Sequence, residues 1–266
     1  MANLLTNINQ VCADLTNIKN AIKDKGVDIA SGTPSSEYAG KVDEVYEAGL
    51  RSALDIIQNY GNRKDYGSAF AYAPWTDDTF LVNYDIRPEG SAGNLVRNTR
   101  IVDLEAVLER QGVVLDTSKA TNLNNAFNSS YFRVLPAIDV TGLNRVTTNS
   151  NMVIQVNTHT IRKLICKEET LWSSACFQYA KGLMHIEIEG VIGSDFTVEN
   201  CIVLSKASIE SIVAALSGNT SGLTATFNLA AVNKAFETSE GANDGSTSAE
   251  WATLQNTKTN WTIKAI

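Results

Sequence analysis

The sequence predicts an α+β protein with an N-terminal helical (coiled-coil) stem, a central β-solenoid and a helix–strand C-terminal cap. Three observations predict it: a heptad stripe near the N-terminus, an apolar spacing that recurs three times in the middle, and mixed helical and strand-like stretches after residue 205. The middle spacing carries most weight. It reads apolar, two residues, apolar, one residue, apolar, as Leu135-x-x-Ile138-x-Val140, Ile161-x-x-Leu164-x-Cys166 and Leu183-x-x-Ile186-x-Ile188, with successive copies starting 26 and 22 residues apart. One coil of that length cannot bury its own apolar face, so neighbours have to stack.

Taken in order, residues 3–25 predict the clearest helix. Leu4, Ile8, Val11, Leu15, Ile18 and Ile22 are spaced 4, 3, 4, 3 and 4 apart with mostly polar residues between them. Such a 3.5-residue repeat asks for a partner helix, and isoleucine at both a and d positions shifts preference towards trimers or higher states. These six residues are the candidate oligomerisation stripe. The alternative is that the helix packs on the next one in its own chain, since three heptads are short for an independent coiled coil. Gly26 ends the helix, and Thr33-Pro34 restarts one whose stripes, Tyr38–Val42–Val45 and Leu50–Leu54–Ile57, fade at Tyr60-Gly61.

Residues 62–98 are aromatic and irregular (Tyr66, Phe70, Tyr72, Trp75, Phe80, Tyr84), which reads as a small core plugging one open end of the solenoid, the alternative being a ligand-binding aromatic patch. Asp103–Arg110 predicts a short amphipathic helix ended by Gly112, and Val113-Val114-Leu115 a strand. The repeats follow, with Phe127 and Phe177 placed to fill the interior. A spacing of this length and pattern is that of a leucine-rich-repeat-like coil. Beyond it, Ser208 caps a helix facing inward through Ile209, Ile212, Val213 and Leu216; Leu223–Leu229 alternates as a strand; 237–248 is a loop; Ala249–Gln255 is helical; and Trp261, Ile263 and Ala265 form a last strand. The expected organisation is thus 1–61 helical oligomerisation or attachment stem, 62–115 aromatic-rich capping region, 116–205 leucine-rich-repeat-like solenoid and 206–266 C-terminal capping unit.

Composition narrows the function. At 44% hydrophobic and 19% charged residues the chain is folded, and a net charge of −7 without a basic block argues against general nucleic-acid binding. No secretory signal or membrane-length apolar run is read, so the expectation is synthesis in the cytoplasm without membrane insertion. Cys12, Cys166, Cys176 and Cys201 lack CxxC spacing and read as buried free thiols; with only His159 and His185, no metal or other cofactor is expected.

Enzyme signatures are missing. Gly90-Ser91-Ala92-Gly93 lacks the Lys-Ser/Thr of a phosphate loop, and no GxSxG or HExxH occurs. Glu187 and Glu189 share one strand face at a separation that glycan cleavage would allow, but as solvent-facing strand residues they read as surface charge.

Several segments resemble a known family. Lys23-Asp24-Lys25-Gly26-Val27 followed by Gly32-Thr33-Pro34-Ser35-Ser36-Glu37-Tyr38 is similar to the opening of tail fibre and baseplate proteins of phages infecting Gram-positive and gut bacteria. Ala39-Gly40-Lys41-Val42 replaces the proline and isoleucine common there. Val102-Asp103-Leu104, Leu115–Ser118, Ala120–Asn122 and Ala126-Phe127 resemble leucine-rich-repeat proteins of bacterial surfaces and phage tails, and Phe227–Leu229 to Trp261–Ile263 resembles their closing unit. The resemblance implies a non-enzymatic virion structural protein of the tail tip, made in the host cytoplasm. It also implies other tail or baseplate proteins as partners and no catalytic residues to carry over. Combined with the stripe, the expectation is a homotrimer that binds a host-surface glycan or protein through the exposed strand residues Arg162, Lys163, His185, Glu187 and Glu189. The alternatives are a purely structural tail connector and, more distantly, a host-glycan depolymerase.

Overall fold

A computed structural model of the chain describes residues 2–24, 41, 66–78, 85–129, 131–146, 157–173 and 176–266. The chain divides into two compact units, Met1–Tyr60 and Gly61–Ile266. In the first, α1 spans Ala2–Asp24. Of its apolar stripe, Ile22 is buried, Leu15 is half-buried and Ile18 is 44% exposed. Leu4, Ile8 and Val11 lie on the same helix, with side chains outside the described set. The second helix expected over residues 33–57 also lies outside the described residues.

The second unit runs α2 (Leu104–Gln111), β1 (Val134–Asp139), β2 (Arg145–Val146), β3 (Thr160–Cys166), β4 (Leu171–Trp172), β5 (His185–Gly190), β6 (Phe196–Val198), α3 (Lys206–Ala215), β7 (Leu223–Phe227), α4 (Leu229–Ala235), α5 (Ala249–Asn256) and β8 (Trp261–Ala265). Every strand pair is parallel, in the orders β1-β3-β5, β2-β4 and β6-β7-β8.

This corrects the expected fold class. The described residues form a mixed α/β protein of five helices and three small parallel sheets that do not close into a leucine-rich-repeat-like solenoid, and no long coiled-coil stem is evident among them. The physical reason lies at the strand edges, which are finished by helices. On one side, β1 is continued only at its start, by a single parallel bridge between Val134 and Asp103; Pro136 then has no N–H to offer a further strand, and α2 packs there. On the other, the N–H groups of Ile186 and Ile188 in β5 donate to the hydroxyls of Ser208 (2.9 Å) and Ser211 (2.9 Å) on α3. A sheet whose edge groups are already paired cannot be extended.

Register explains a second correction. Leu135 pairs with Ile161 and Ile161 with Ile186, offsets of 26 and 25 residues, so the third copy begins at Ile186 and not at Leu183. Leu164 then pairs with Ile188, which leaves Arg162 and Lys163 opposite Glu187 alone. That is a β-bulge, one extra residue on one strand. Gly190 closes β5 at φ +107°, where an added Cβ would lie 1.9 Å from the Cys166 carbonyl oxygen.

Beneath the strands, Phe127, Phe132, Phe177, Leu135, Ile138, Ile161 and Leu164 are buried in one core. Phe127 and Phe177 are therefore interior as the sequence predicts. Tyr66 and Phe70 join this core with Trp75 packed 5.2 Å from Phe70, whereas Tyr72 is 64% exposed; Phe80 and Tyr84 lie outside the described residues. The segment 66–72 stacks on 91–97 through Ser68 N–H to the Gly93 carbonyl (2.7 Å) and Tyr72 N–H to that of Arg97 (2.7 Å). Asn94 and Asn98 in turn donate to the carbonyls of Asn124 (2.6 Å) and Asn128 (2.9 Å).

Helix starts follow capping chemistry. Asp103 caps α2 on the Ala106 N–H at 2.9 Å, and Gly112 ends it at φ 63°. Ser205, one turn before the expected Ser208, caps α3, because the Ser208 hydroxyl is engaged on β5. Asn228 stops β7 and opens α4, a helix the alternating pattern hides. At the end of α3, the Leu216 carbonyl accepts from Lys258 Nζ (2.5 Å) and that of Ser217 from Asn260 Nδ2 (2.9 Å) and Trp261 Nε1 (2.8 Å). A cation thus satisfies the carbonyl of the C-cap residue Leu216, and two neutral donors that of the following Ser217. Contrary to expectation, Cys12 is exposed; Cys166, Cys176 and Cys201 are buried and free.

Candidate functional site

The outward residues of β3 and β5 and one face of α3 form a groove of about 380 Å³ lined by Thr160, Arg162, His185, Glu187, Ser208 and Ser211. Its walls are rigid for local reasons. Ile161, Leu164 and Ile186 point into the core, so their neighbours in sequence point out. Ile209, Ile212 and Val213 bury the opposite face of α3, which leaves the serines facing β5.

Three of the five predicted surface residues, Arg162, His185 and Glu187, meet in this groove, and Lys163 and Glu189 stand on the same sheet face beside it. The charges are organised in pairs. Arg162 Nε lies 2.9 and 2.8 Å from the two oxygens of Glu105 in the first turn of α2, with Nη2 at 2.7 Å. That fork-to-carboxylate contact holds the guanidinium above its ordinary pKa. Lys163 Nζ sits 2.7 Å from Glu189 and 3.7 Å from Glu187, and the hydrogen bond to Glu189 is the main reason its ammonium is also raised. The bulge makes this possible, since it turns two consecutive residues of β3 to the outside.

His185 Nδ1 is 3.4 Å from the Ser205 hydroxyl, and Ser205 and Ser208 hydroxyls are 2.9 Å apart. The groove thus presents a guanidinium, an imidazole, a carboxylate and hydroxyls on a fixed frame, a set suited to a polar, hydrogen-bonding ligand. Glu105, Thr160, Ser208 and Ser211 were missing from the predicted set. The signal for the serines was present as Ser205-x-x-Ser208-x-x-Ser211, one helix face at i, i+3, i+6. Glu105 had no such signal, because 57 residues separate it from Arg162.

A smaller cluster is structural in character. Arg87 bridges Asp85 (3.0 Å) and Asp116 (2.9 Å), while Asp85 also accepts from the Val114 N–H (2.9 Å). The Val114 bond first and Arg87 second hold the Asp85 carboxyl below its usual range. These contacts pin the stretch around Ile86 to that around Leu115, which form a parallel bridge.

Among the described residues no group of three or more His, Cys, Asp or Glu is placed to hold a metal ion, and no helix is long and apolar enough to cross a membrane. Comparison with protein-family models, with curated proteins and with solved structures returns no match to this chain.

Proposed function

We propose that this protein is a non-enzymatic recognition subunit of a phage tail tip, a fibre or baseplate component that contacts the host surface through the groove between β3, β5 and α3. The observation that carries the reading is the convergence of Arg162, His185 and Glu187 with the α3 hydroxyls in one open groove on core-anchored strands. Sites on such elements keep their geometry in the absence of ligand, which lowers the ordering cost of binding. The tail-tip setting comes from the resemblance of the Lys23–Tyr38 run and of the segments around Asp103 and Phe127 to tail proteins. The partners proposed are a host-surface glycan or protein, neighbouring tail subunits and further copies of this chain.

One observation favours a second reading, a structural tail connector without receptor contact. Arg162 and Lys163 already have carboxylate partners within the chain, so the face is electrostatically satisfied as it stands. The same pairing weighs against the depolymerase reading, since Glu187 and Glu189 both lie against one ammonium.

The deciding experiment applies the purified full chain to susceptible cells before phage challenge. Recognition predicts saturable adsorption and blocked infection, both reduced at least tenfold by R162A combined with E187Q. Capture of tail proteins without adsorption to cells supports the connector instead. Release of new reducing ends from purified host glycan overturns the non-enzymatic assignment.

A further inference from the structure

We propose that the outward face of the β6-β7-β8 sheet is a second binding site, and that it takes an oligosaccharide lying across the strands. This inference stands on a different sheet from the groove above and does not depend on how that groove is used.

Alternation along the three strands is complete. Phe196, Val198, Ala225, Phe227, Trp261 and Ile263 are buried beneath the sheet. The outward positions carry only hydroxyl or charged side chains. Thr197 pairs in register with Thr226, and Thr226 with Lys264, which makes one continuous row across the sheet. Asp195, Thr224 and Glu199 flank that row, and together these residues line a groove of about 270 Å³.

Side-chain chemistry defines the ligand class. Thr226 is only 7% exposed and Thr197 and Thr224 are half-buried, so their hydroxyls sit in the floor on β-branched side chains that are stiff at χ1. Lys264 Nζ makes no ion pair or hydrogen bond among the described residues, whereas Lys119, Lys163, Lys206 and Lys234 each face a carboxylate. The Glu199 carboxylate is likewise without a partner among the described residues, although the Glu199 backbone is held at both N–H and carbonyl.

Apart from the edge of buried Phe196, the groove is lined by polar side chains, which favours a hydrogen-bonding ligand over a wholly hydrophobic one. Asp195 and Glu199 repel a phosphate backbone, and the net charge of −7 adds to that repulsion. What remains is a neutral, polyhydroxylated ligand whose hydroxyls both donate and accept. Carboxylate and ammonium at the flanks would make charge-assisted bonds to it. Strands about 4.8 Å apart repeat at close to the length of one pyranose unit, so a sugar chain crossing them meets the same row at each step. Cross-strand threonine pairs also serve sheet stability alone, so the test has to separate the two roles.

The test titrates the full chain with cellotetraose and with chitotetraose, followed by amide chemical shifts. Expected are saturable shifts at Thr197, Thr224, Thr226 and Lys264 with at least one of the two sugars. T226V, which removes the hydroxyl and keeps the shape, and K264Q should each weaken that binding at least tenfold without moving the unfolding midpoint. K264Q alters an exposed side chain and carries the test even where T226V fails to fold. No saturable shift with either sugar up to about 10 mM, ten times a millimolar Kd, overturns the proposal. Saturable shifts centred on Arg162 and His185 and unaffected by K264Q overturn it as well, and would place the sugar in the first groove.

Discussion

The first sheet, β1-β3-β5, and the last, β6-β7-β8, share a parallel ladder and differ in how they meet solvent. On the first, a bulge turns out two cations, and each finds a carboxylate: Arg162 on Glu105, Lys163 on Glu189. Its far edge is sealed by two serine hydroxyls from α3. On the last, the outward face is a row of threonines ending in an ammonium without a partner among the described residues. The comparison separates two uses of one architecture. Paired charge on an open strand face contributes little to stability but fixes side-chain positions. An unpaired cation above embedded hydroxyls leaves hydrogen-bonding capacity unspent.

The largest effect that would break this comparison is loss of the shared core. Leu164, fully buried in the middle strand of the first sheet, should cost about 2–5 kcal/mol when cut to alanine. Chemical denaturation reads it directly, and a cost below 1 kcal/mol would mean that the first sheet is not a stability centre. Next comes the sealed edge. S208A leaves the buried Ile186 N–H without its acceptor and should cost about 1–3 kcal/mol. An unchanged unfolding midpoint would show that water replaces the hydroxyl and that α3 does not terminate the sheet.

A smaller gain is expected outside both sheets. Tyr72 holds φ at 60° in a turn stacked on one where Asn98 holds 56°, and asparagine tolerates that region far better than an aromatic side chain. Y72N should therefore stabilise the protein by about 1 kcal/mol, read as a raised denaturation midpoint; a lowered one would mean that the ring packs usefully, with Arg97 lying 5.6 Å from its centre.

Thiol titration gives the pH-dependent test beneath both sheets. Burial pushes Cys166 and Cys176 up to about 11 and Cys201 up to about 12, against 9.0 for an unburied thiol. The folded state therefore keeps protons that the unfolded chain releases, so stability is full below pH 9 and declines as pH rises towards 11 and 12. A thiol reagent at neutral pH should label Cys12 alone until the protein unfolds; rapid labelling of Cys166 would show that the first sheet opens locally. The smallest effect belongs to the surface pairs: R162Q should leave the unfolding midpoint unchanged, and a clear loss would make the Arg162–Glu105 contact structural.

Much of the local structure was legible. Alternation placed β7 and β8, the apolar spacing and Gly112 located α2 and its end, and the period of about 26 residues brought Leu135 and Ile161 side by side. The third copy was misplaced because Leu183-x-x-Ile186 satisfies the spacing by chance, while one residue fewer between Ile186 and Ile188 forces a bulge that no apolar pattern reveals. Helix α4 was hidden for a similar reason, since Leu229 extends the alternation of β7 although Asn228 caps a helix there. Of the first groove, Arg162, His185 and Glu187 were readable as outward residues of strands. Glu105 and the serines were not, since partners separated by 57 residues leave no mark in local spacing.

By itself, then, the sequence determined the inward residues of most strands and of α2 and α3, because period and capping are local properties of the chain. Only the tertiary structure decided where the strands stop associating. That depends on which group reaches an edge first, and here Pro136 with α2 on one side and the hydroxyls of Ser208 and Ser211 on the other occupy the edges that a continuous solenoid would have needed.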